Sequence, residues 1–179
     1  MMQLIRVARL HHATVLCKPL REETVGRPVK YKTFDHMNCS LAQTLNIIGE
    51  RWTLLILRDS FFGSKRFAQF ERNLGISKNI LTARLNTLVE EGILTRRTSK
   101  EDGRTDYVLT EQGLELQPVL LSMTHWGDKH RPHPRGERVT FVDRETGRPI
   151  QKMGVRGEDG RLLAPRDIRA TAGPGLETD

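Results

Sequence analysis

The chain has 179 residues, a net charge of +7 and a pI near 9.8, and this length can form one domain with a substantial core and further segments. Two cysteines are too few for a disulfide framework, and no apolar run approaches the roughly 20 residues that a membrane helix needs. The composition therefore argues against a disulfide-rich secreted protein and a membrane-spanning protein, and a cytoplasmic location without membrane contact is expected.

Charge and apolar periodicity divide the chain into three segments. Residues 1–34 carry +5 and lack sustained periodicity, which predicts a poorly ordered N-terminal arm. Residues 35–130 have no net charge and hold nearly all the periodic apolar pattern, so they are the predicted folded domain. Residues 131–179 carry +2 and are rich in Gly and Pro, and two short alternating runs around RETGR predict a small β-ribbon.

The first three helices of the middle segment are predicted from apolar spacing and from the glycines that follow them. CSLAQTLNIIG and SKRFAQFERNLG each have one apolar stripe, whereas RWTLLILRDSFFG is apolar enough to be buried on most sides. The residues expected to share a face are Leu41, Leu45 and Ile48 in the first helix and Phe67, Phe70 and Leu74 in the third.

The stretch GISKNILTARLNTLVEEGILTRR predicts a fourth helix, because Leu81, Leu85 and Leu88 recur at helical spacing and would face a core. A tight connection precedes this helix, and Ser77 is a suitable N-cap. The opposite face is small or polar and nearly free of acids. Two helices joined in this way are typical of a helix-turn-helix.

Two strand-like runs, ILTRRTS and TDYVLT, follow and are joined by KEDGR, in which Asp-Gly is a strong hairpin signal. EQGLELQPVLLSMTHWGDKH then predicts one last helix with Leu116, Leu120 and Met123 on a stripe and a local kink at Pro118. The predicted fold is therefore mainly α, a winged helix-turn-helix with a two-stranded wing and a C-terminal helix.

Candidate base-reading residues lie at the start of the fourth helix, which in this fold enters the DNA major groove with its N-terminus nearest the bases. They are Ser77, Lys78, Asn79 and Thr82. Asn can bond adenine with two hydrogen bonds, Lys can reach guanine, and a Thr methyl can touch thymine. A polar helix face alone is equally typical of a solvated surface, but the helix pair, tight turn and basic hairpin together favour double-stranded DNA as the partner.

Cations around this helix and in the hairpin are expected to contact DNA phosphates, which adds affinity but little base discrimination. They are Lys65, Arg66, Arg84, Arg97, Lys100 and Arg104. The hairpin tip also carries Glu101 and Asp102, which oppose very close phosphate contact.

A set of short motifs between residues 37 and 128 resembles the HxlR-type winged-helix transcriptional regulators of bacteria. The matching residues are Cys39, Gly49 with Trp52, Arg66 with Phe67, Ile76 with Ser77, Leu81 with Thr82, Tyr107 to Thr110, Gly113, and Trp126 with Gly127. The resemblance implies a homodimeric DNA-binding regulator, more often a repressor than an activator, with no enzymatic activity and no cofactor.

In this family the first and last helices form the dimer, and a two-fold dimer implies an inverted-repeat operator. The resemblance therefore makes five residues candidates for the dimer interface: Leu41, Leu45, Leu116, Leu120 and Trp126. An ordinary core position is the alternative for Leu116. The same resemblance makes Arg51 a candidate phosphate contact, with capping or pairing with Glu50 as the alternative.

Cys39 is a candidate redox or electrophile sensor, because several relatives use a cysteine at this position in that way. Such chemistry needs a thiolate, which the start of a helix favours. The alternative is a small buried cysteine that packs well. A redox or small-molecule effector is therefore left open.

Other chemistry has little support. The C-terminal extension resembles a zinc ribbon without cysteines, and scattered histidines such as His125, His130 and His133 do not make a ligand set, so no metal is expected. No nucleophile-elbow, phosphate-loop or zinc-protease motif occurs. A protein-interaction module built on a winged helix is the alternative function, with the basic arm and tail as its working parts.

Overall fold

The computed structural model describes residues 33–175, so the predicted N-terminal arm lies almost entirely outside the described residues. The chain forms two compact units that divide after Gly113. This division places the last long helix with the C-terminal extension, whereas the sequence pattern places the boundary at residue 131. The functional boundaries at 35 and 131 stay predictions.

From residue 33 onward, four helices precede the sheet, in agreement with the sequence pattern. They are α1 (Ser40–Ile48), α2 (Arg51–Phe61), α3 (Phe67–Leu74) and α4 (Lys78–Glu90). Gly75 follows α3 with a φ of 63°, a left-handed conformation that glycine adopts without a Cβ clash. This turn reverses the chain within three residues, so that α4 starts at Lys78.

The core of the first unit is formed by α2, α3, α4 and the residues that lead into the sheet. Six of its largest side chains are completely buried: Ile56, Leu57, Phe70, Leu81, Leu85 and Leu88. Burial of each such side chain contributes about 1.5–3 kcal/mol to stability. The predicted stripe of α4 is therefore confirmed as its core face, which leaves the opposite face free for another partner.

The predicted stripe of α1 is only partly buried. Ile48 is 6% exposed, whereas Leu41 is 66% and Leu45 is 42% exposed. Ala42 supplies the second buried position of this helix instead. The N-terminal part of α1 thus presents two leucines outward from the unit.

The wing is an antiparallel pair of strands, β1 (Leu94–Thr98) and β2 (Thr105–Leu109), as the sequence predicts. Its register pairs Leu94 with Leu109 and Thr98 with Thr105. The connecting tip contains the predicted Asp-Gly turn. The observed order of helices and wing confirms the mainly α, winged helix-turn-helix fold.

The prediction of one continuous helix after the wing is wrong. A short α5 (Glu111–Leu114) is followed by α6 (Gln117–His130), with Glu115 and Leu116 between them. Pro118 lies in the first turn of α6, where its missing N–H leaves no helical hydrogen bond unmade. The proline therefore marks the start of a new helix instead of a kink within an old one.

The C-terminal extension forms two short hairpins and a 3₁₀ turn (Pro165–Asp167). The first hairpin has the isolated bridge Val142–Pro149 on either side of RETGR, where the sequence predicts a small ribbon, and the second has the unpredicted bridge Arg156–Leu162. The extension contacts α6 through His125, whose Nδ1 accepts a 3.4 Å hydrogen bond from the Met153 N–H.

Candidate nucleic-acid interface

The start of α4 is fixed by its cap and by the apolar residue before it. The Ser77 hydroxyl oxygen accepts a 3.4 Å hydrogen bond from the Ile80 N–H, as expected of an N-cap. Ile76 is buried and anchors the turn. The first turn of α4 therefore projects from a rigid support, although the Ser77 hydroxyl is already engaged in the cap.

Lys78, Asn79 and Thr82 form the free surface of this first turn. All three are exposed, and within the described residues none of their side chains makes a hydrogen bond or an ion pair. Since Leu81 and Leu85 are buried on the opposite side, these polar groups cannot turn inward without unfolding the helix. The three side chains are available to a partner outside the chain.

Ile80 is an exposed apolar residue on the same turn, and it is absent from the residues predicted from sequence. Its side chain is 40% exposed, because it lies off the stripe that faces the core. The signal for it is an isoleucine outside the leucine spacing. An exposed isoleucine beside polar groups could contact a thymine methyl or a sugar.

The wing is tied to the start of α3 by a buried carboxylate. Asp106 in β2 is 6% exposed and contacts the Arg66 guanidinium through Nε, and its other oxygen lies 3.3 Å from Lys65 Nζ. A backbone hydrogen bond of 2.8 Å from the Tyr107 N–H to the Lys65 carbonyl accompanies these ion pairs. Together the contacts fix the angle of the wing relative to the helix-turn-helix.

Arg66 also holds the wing tip. Its Nη1 donates to Asp102 at 2.9 Å, and this bond, followed by the Arg104 backbone N–H, lowers the pKa of Asp102 to about 2. Asp102 is thus turned toward Arg66 and away from the open side of the tip. The predicted phosphate contact Arg66 is therefore occupied by two carboxylates, and its position suits a structural role in the wing.

Three cations of the wing remain accessible. Arg97 and Lys100 are exposed and unpaired within the described residues, and the Arg104 side chain is 80% exposed with only a 3.8 Å approach to Asp102. Glu101 is exposed beside them. The wing therefore presents three accessible cations against Glu101 and the partly exposed Asp102, which is paired with Arg66.

A second link joins the wing to α4 itself. Arg96 in β1 donates through Nη2 to the Asn86 side-chain oxygen at 2.5 Å, and its guanidinium lies 5.8 Å from the centre of the Tyr107 ring. No local sequence signal announces this contact, because the two residues lie on different elements. Asn86 is consequently less available to DNA than the residues at the start of the helix.

The remaining predicted phosphate contacts differ in accessibility. Arg84 pairs with Glu50 at 3.3 Å and its side chain is 29% exposed, so much of its charge is neutralised within the unit. Arg51 is exposed and its guanidinium lies 5.7 Å from the centre of the Trp52 ring. The partner of Glu50 in the structure is Arg84, and Arg51 has its stacking contact instead.

Three candidate dimer residues lie on α6 or at its N-cap, and α6 contains no buried residue. Leu116 and Leu120 are partly buried, and Trp126 is 62% exposed. An open apolar groove of about 330 Å³ is lined by Ser122, Met123 and Trp126. Such an apolar helix face is typical of a surface that is covered in an assembly.

Cys39 is exposed at the N-cap position of α1, so this residue is not buried within the isolated chain. Its sulfur is therefore accessible to a reagent in the isolated chain. In the described part of the chain, no cluster of three His, Cys, Asp or Glu side chains is arranged to hold a metal ion. Residues 33–175 also contain no helix long and apolar enough to cross a membrane.

Comparison with known proteins finds a matching family profile and several similar proteins. The HxlR-like helix-turn-helix profile matches residues 47–135. The uncharacterized HTH-type transcriptional regulator Rv3095 of Mycobacterium tuberculosis is 37% identical over 139 residues, covering 77% of this chain and 88% of that protein. The regulator YdeP of Bacillus subtilis, likewise uncharacterized and HTH-type, is 34% identical over 114 residues, covering 63% and 88%.

Solved structures agree in fold. The crystal structure of PA1607, a candidate transcription factor, aligns with a TM-score of 0.70 at 38% identity and covers 75% of this chain and 95% of that one. PA1374 from Pseudomonas aeruginosa aligns with a TM-score of 0.53 at 37% identity, covering 78% and 95%. These relatives are regulators or candidate transcription factors and not enzymes. The matched sequence, the helix pair and the wing together show that this chain belongs to the HxlR-like helix-turn-helix family of transcriptional regulators.

Proposed function

We propose that the protein is a homodimeric, sequence-specific DNA-binding repressor of the cytoplasm that recognises an inverted-repeat operator. The observation that carries this proposal is the free first turn of α4. Lys78, Asn79 and Thr82 are exposed and unpaired within the described residues, on a helix whose other side is locked in the core. A helix presented in this way suits insertion into the major groove.

Base recognition is assigned to Lys78, Asn79 and Thr82, with Ser77 as the cap that sets the direction of the helix. Asn79 is suited to the two-bond contact with adenine and Lys78 to guanine. The free backbone N–H groups at this helix start favour a nearby phosphate. Specificity then follows from a few short side chains whose positions are fixed by the buried face.

Contacts to the phosphate backbone of DNA are assigned first to the accessible cations Arg97, Lys100 and Arg104 of the wing and to Arg51. The paired cations Lys65, Arg66 and Arg84 are assigned mainly to orienting the parts that touch DNA, because carboxylates occupy them. Within the expected set of phosphate contacts, the accessible cations would thus supply affinity for DNA, and the paired cations would hold the wing and the helices in position.

Dimerisation is assigned to the outward leucines of α1 and to α6. Leu41 and Trp126 are each more than half exposed in the isolated chain, so a second copy of the chain could cover them. Leu45 would extend the surface of α1, and Leu120 with Leu116 at the N-cap would extend that of α6. A two-fold pair of recognition helices would then read two half-sites spaced by one or more helical turns.

Regulation through Cys39 is the second candidate function. The observation that favours it is the exposure of this thiol at the start of α1, a helix assigned to the dimer. Oxidation or alkylation there would change the dimer surface and so the DNA affinity. A small-molecule effector at the same surface is compatible with this scheme.

The proposed function is tested by selecting duplexes from a random library with the reduced full chain. Enrichment of an inverted repeat supports a two-fold DNA-binding dimer. Recovery of sequences without a shared motif contradicts it and favours a protein-interaction module. In that case charge reversal at Lys78 would also leave the protein's interactions unchanged.

A further inference from the structure

The C-terminal extension carries a clear excess of basic over acidic residues. Residues 131–175 contain ten Arg or Lys residues against six Asp or Glu, whereas residues 33–113 contain eleven against ten. The part of the chain with the recognition helix is therefore nearly neutral. Most of the net positive charge of the described residues lies in the extension.

Six of these cations have no ion pair or side-chain hydrogen bond within the described residues, and all six are exposed arginines. They are Arg131, Arg135, Arg144, Arg148, Arg166 and Arg169. The winged-helix unit offers a similar number of unpaired cations: Arg51, Arg72, Lys78, Arg97 and Lys100. The extension thus presents as many free cations as the unit assigned to DNA.

In the described residues, the acids of the extension form no ion pair with these six arginines, and most of them bond other groups. Asp143 accepts hydrogen bonds from the Glu145 and Thr146 N–H groups at 3.0 and 2.6 Å, and these bonds lower its pKa. Asp159 accepts from the Arg161 N–H at 2.9 Å, and Asp167 accepts from the Ala164 N–H at 3.1 Å.

The other acids of the extension are either paired within the extension or without a partner in the described residues. Glu137 lies 3.1 Å from Lys152 Nζ, so this acid is matched to a lysine. Only the carboxylates of Glu145 and Glu158 are left without a partner between residues 131 and 175. In the hairpin turns, acids accept hydrogen bonds from backbone N–H groups, whereas the six arginines stay exposed.

From these observations we infer that the C-terminal extension is a second binding surface for nucleic-acid phosphate. Arginine suits this ligand, since its planar guanidinium can bond two phosphate oxygens at once. No base-reading arrangement accompanies the arginines in the described residues, so the surface would add affinity without sequence preference. The inference relies on the proposed DNA-binding function for its setting but concerns residues outside the helix-turn-helix.

The test measures affinity of the full chain for a duplex of arbitrary sequence, several helical turns long, between about 50 and 200 mM salt. The variant R144Q/R148Q removes two unpaired arginines of the first hairpin. The control K152Q/R161Q removes the same charge from side chains that face Glu137 and Asp159. Circular dichroism of both variants checks that the fold is retained.

Each lost phosphate contact should lower the slope of log affinity against log salt by about 0.9. The expected result is a slope reduced by about 2 for each protomer in R144Q/R148Q and a nearly unchanged slope in the control. An unchanged slope in R144Q/R148Q, or an equal change in both variants, overturns the inference. The duplex in this test has arbitrary sequence, so its result does not depend on finding an operator. Failure to select an operator would count against the proposed function without changing the conclusion about the extension.

Discussion

The Arg66 guanidinium at the start of α3 pairs with the buried carboxylate of Asp106 in β2 of the wing. Arg66 lies just before α3, and Asp106 lies in the second strand of the wing. The proposed recognition helix, α4, lies between them in the chain. Their contact makes the wing a fixed part of the DNA-binding unit. It also explains why an arginine beside the DNA-facing surface is not itself free to bind phosphate.

Replacing Asp106 with Asn should weaken DNA binding in a sequence-independent way. The substitution removes the charge that holds Lys65 and Arg66, so the wing loses its fixed angle and about one or two phosphate contacts. The slope of log affinity against log salt should fall by about 1–2. Fluorescence anisotropy with specific and scrambled duplexes measures this slope.

Glu111→Gln is the matched control, because it removes the same charge from an exposed acid without an ion pair in the described residues. Removing a negative charge raises affinity for DNA when charge alone matters. If Asp106→Asn behaves like this control, the carboxylate does not position the wing.

Asn79→Ala should reduce operator affinity by about 1–3 kcal/mol and relax specificity at one base position. The physical reason is the loss of a two-bond contact with adenine at the free end of α4. Titration against operator duplexes carrying each base at that position measures the effect. Gln112→Ala, an exposed amide outside the recognition helix, is the control, and equal affinities of both variants would remove Asn79 from the base-reading set.

If the proposed dimer forms through α6, Trp126→Ala should shift it toward monomer at concentrations where the unchanged protein is dimeric. The ring is 62% exposed in the isolated chain, so its removal changes an outer surface with little effect on the core. Sedimentation velocity reports the distribution. Leu162→Ala, at 61% exposed, is the matched control, and an unaltered dimer in Trp126→Ala would exclude this ring from the interface.

Gly113→Ala should lower the free energy of unfolding by about 1–3 kcal/mol, because an added Cβ would clash with the Ile93 carbonyl oxygen and force the backbone to shift. A Cβ at Gly127 in α6 would meet no atom within 4 Å in the isolated chain, apart from its chain neighbours and the backbone of its own helix. Gly127→Ala should therefore stabilise the protein by about 0.4–1 kcal/mol. Urea unfolding of both variants measures the difference, and a neutral Gly113→Ala would show that α5 is not tightly packed on the strand entry.

The local features of this fold are readable from the sequence. Leucine spacing identifies the buried face of α4, and Asp102-Gly103 identifies the wing turn, since both signals depend on residues close in the chain. Ser77 is recognisable as a cap for the same reason. These local signals alone are enough to place the candidate base-reading residues on one exposed helical turn.

Contacts between distant residues are not readable in this way. Arg66 and Asp102 are 36 positions apart, and nothing near either residue identifies the other as its partner. Cation lists drawn from sequence therefore include side chains that are already neutralised. The break before α6 escapes prediction because Pro118 fits both a kink and a helix start, and only the backbone path distinguishes them.

The most direct test of sequence-specific recognition by α4 is binding of the reduced full chain to a selected inverted-repeat duplex and to a scrambled duplex across a salt series. Counterion release weakens both complexes, so phosphate contacts alone give equal affinities that fall together. If α4 reads bases, the selected duplex stays preferred as salt rises. Equal binding at every salt concentration would contradict that recognition.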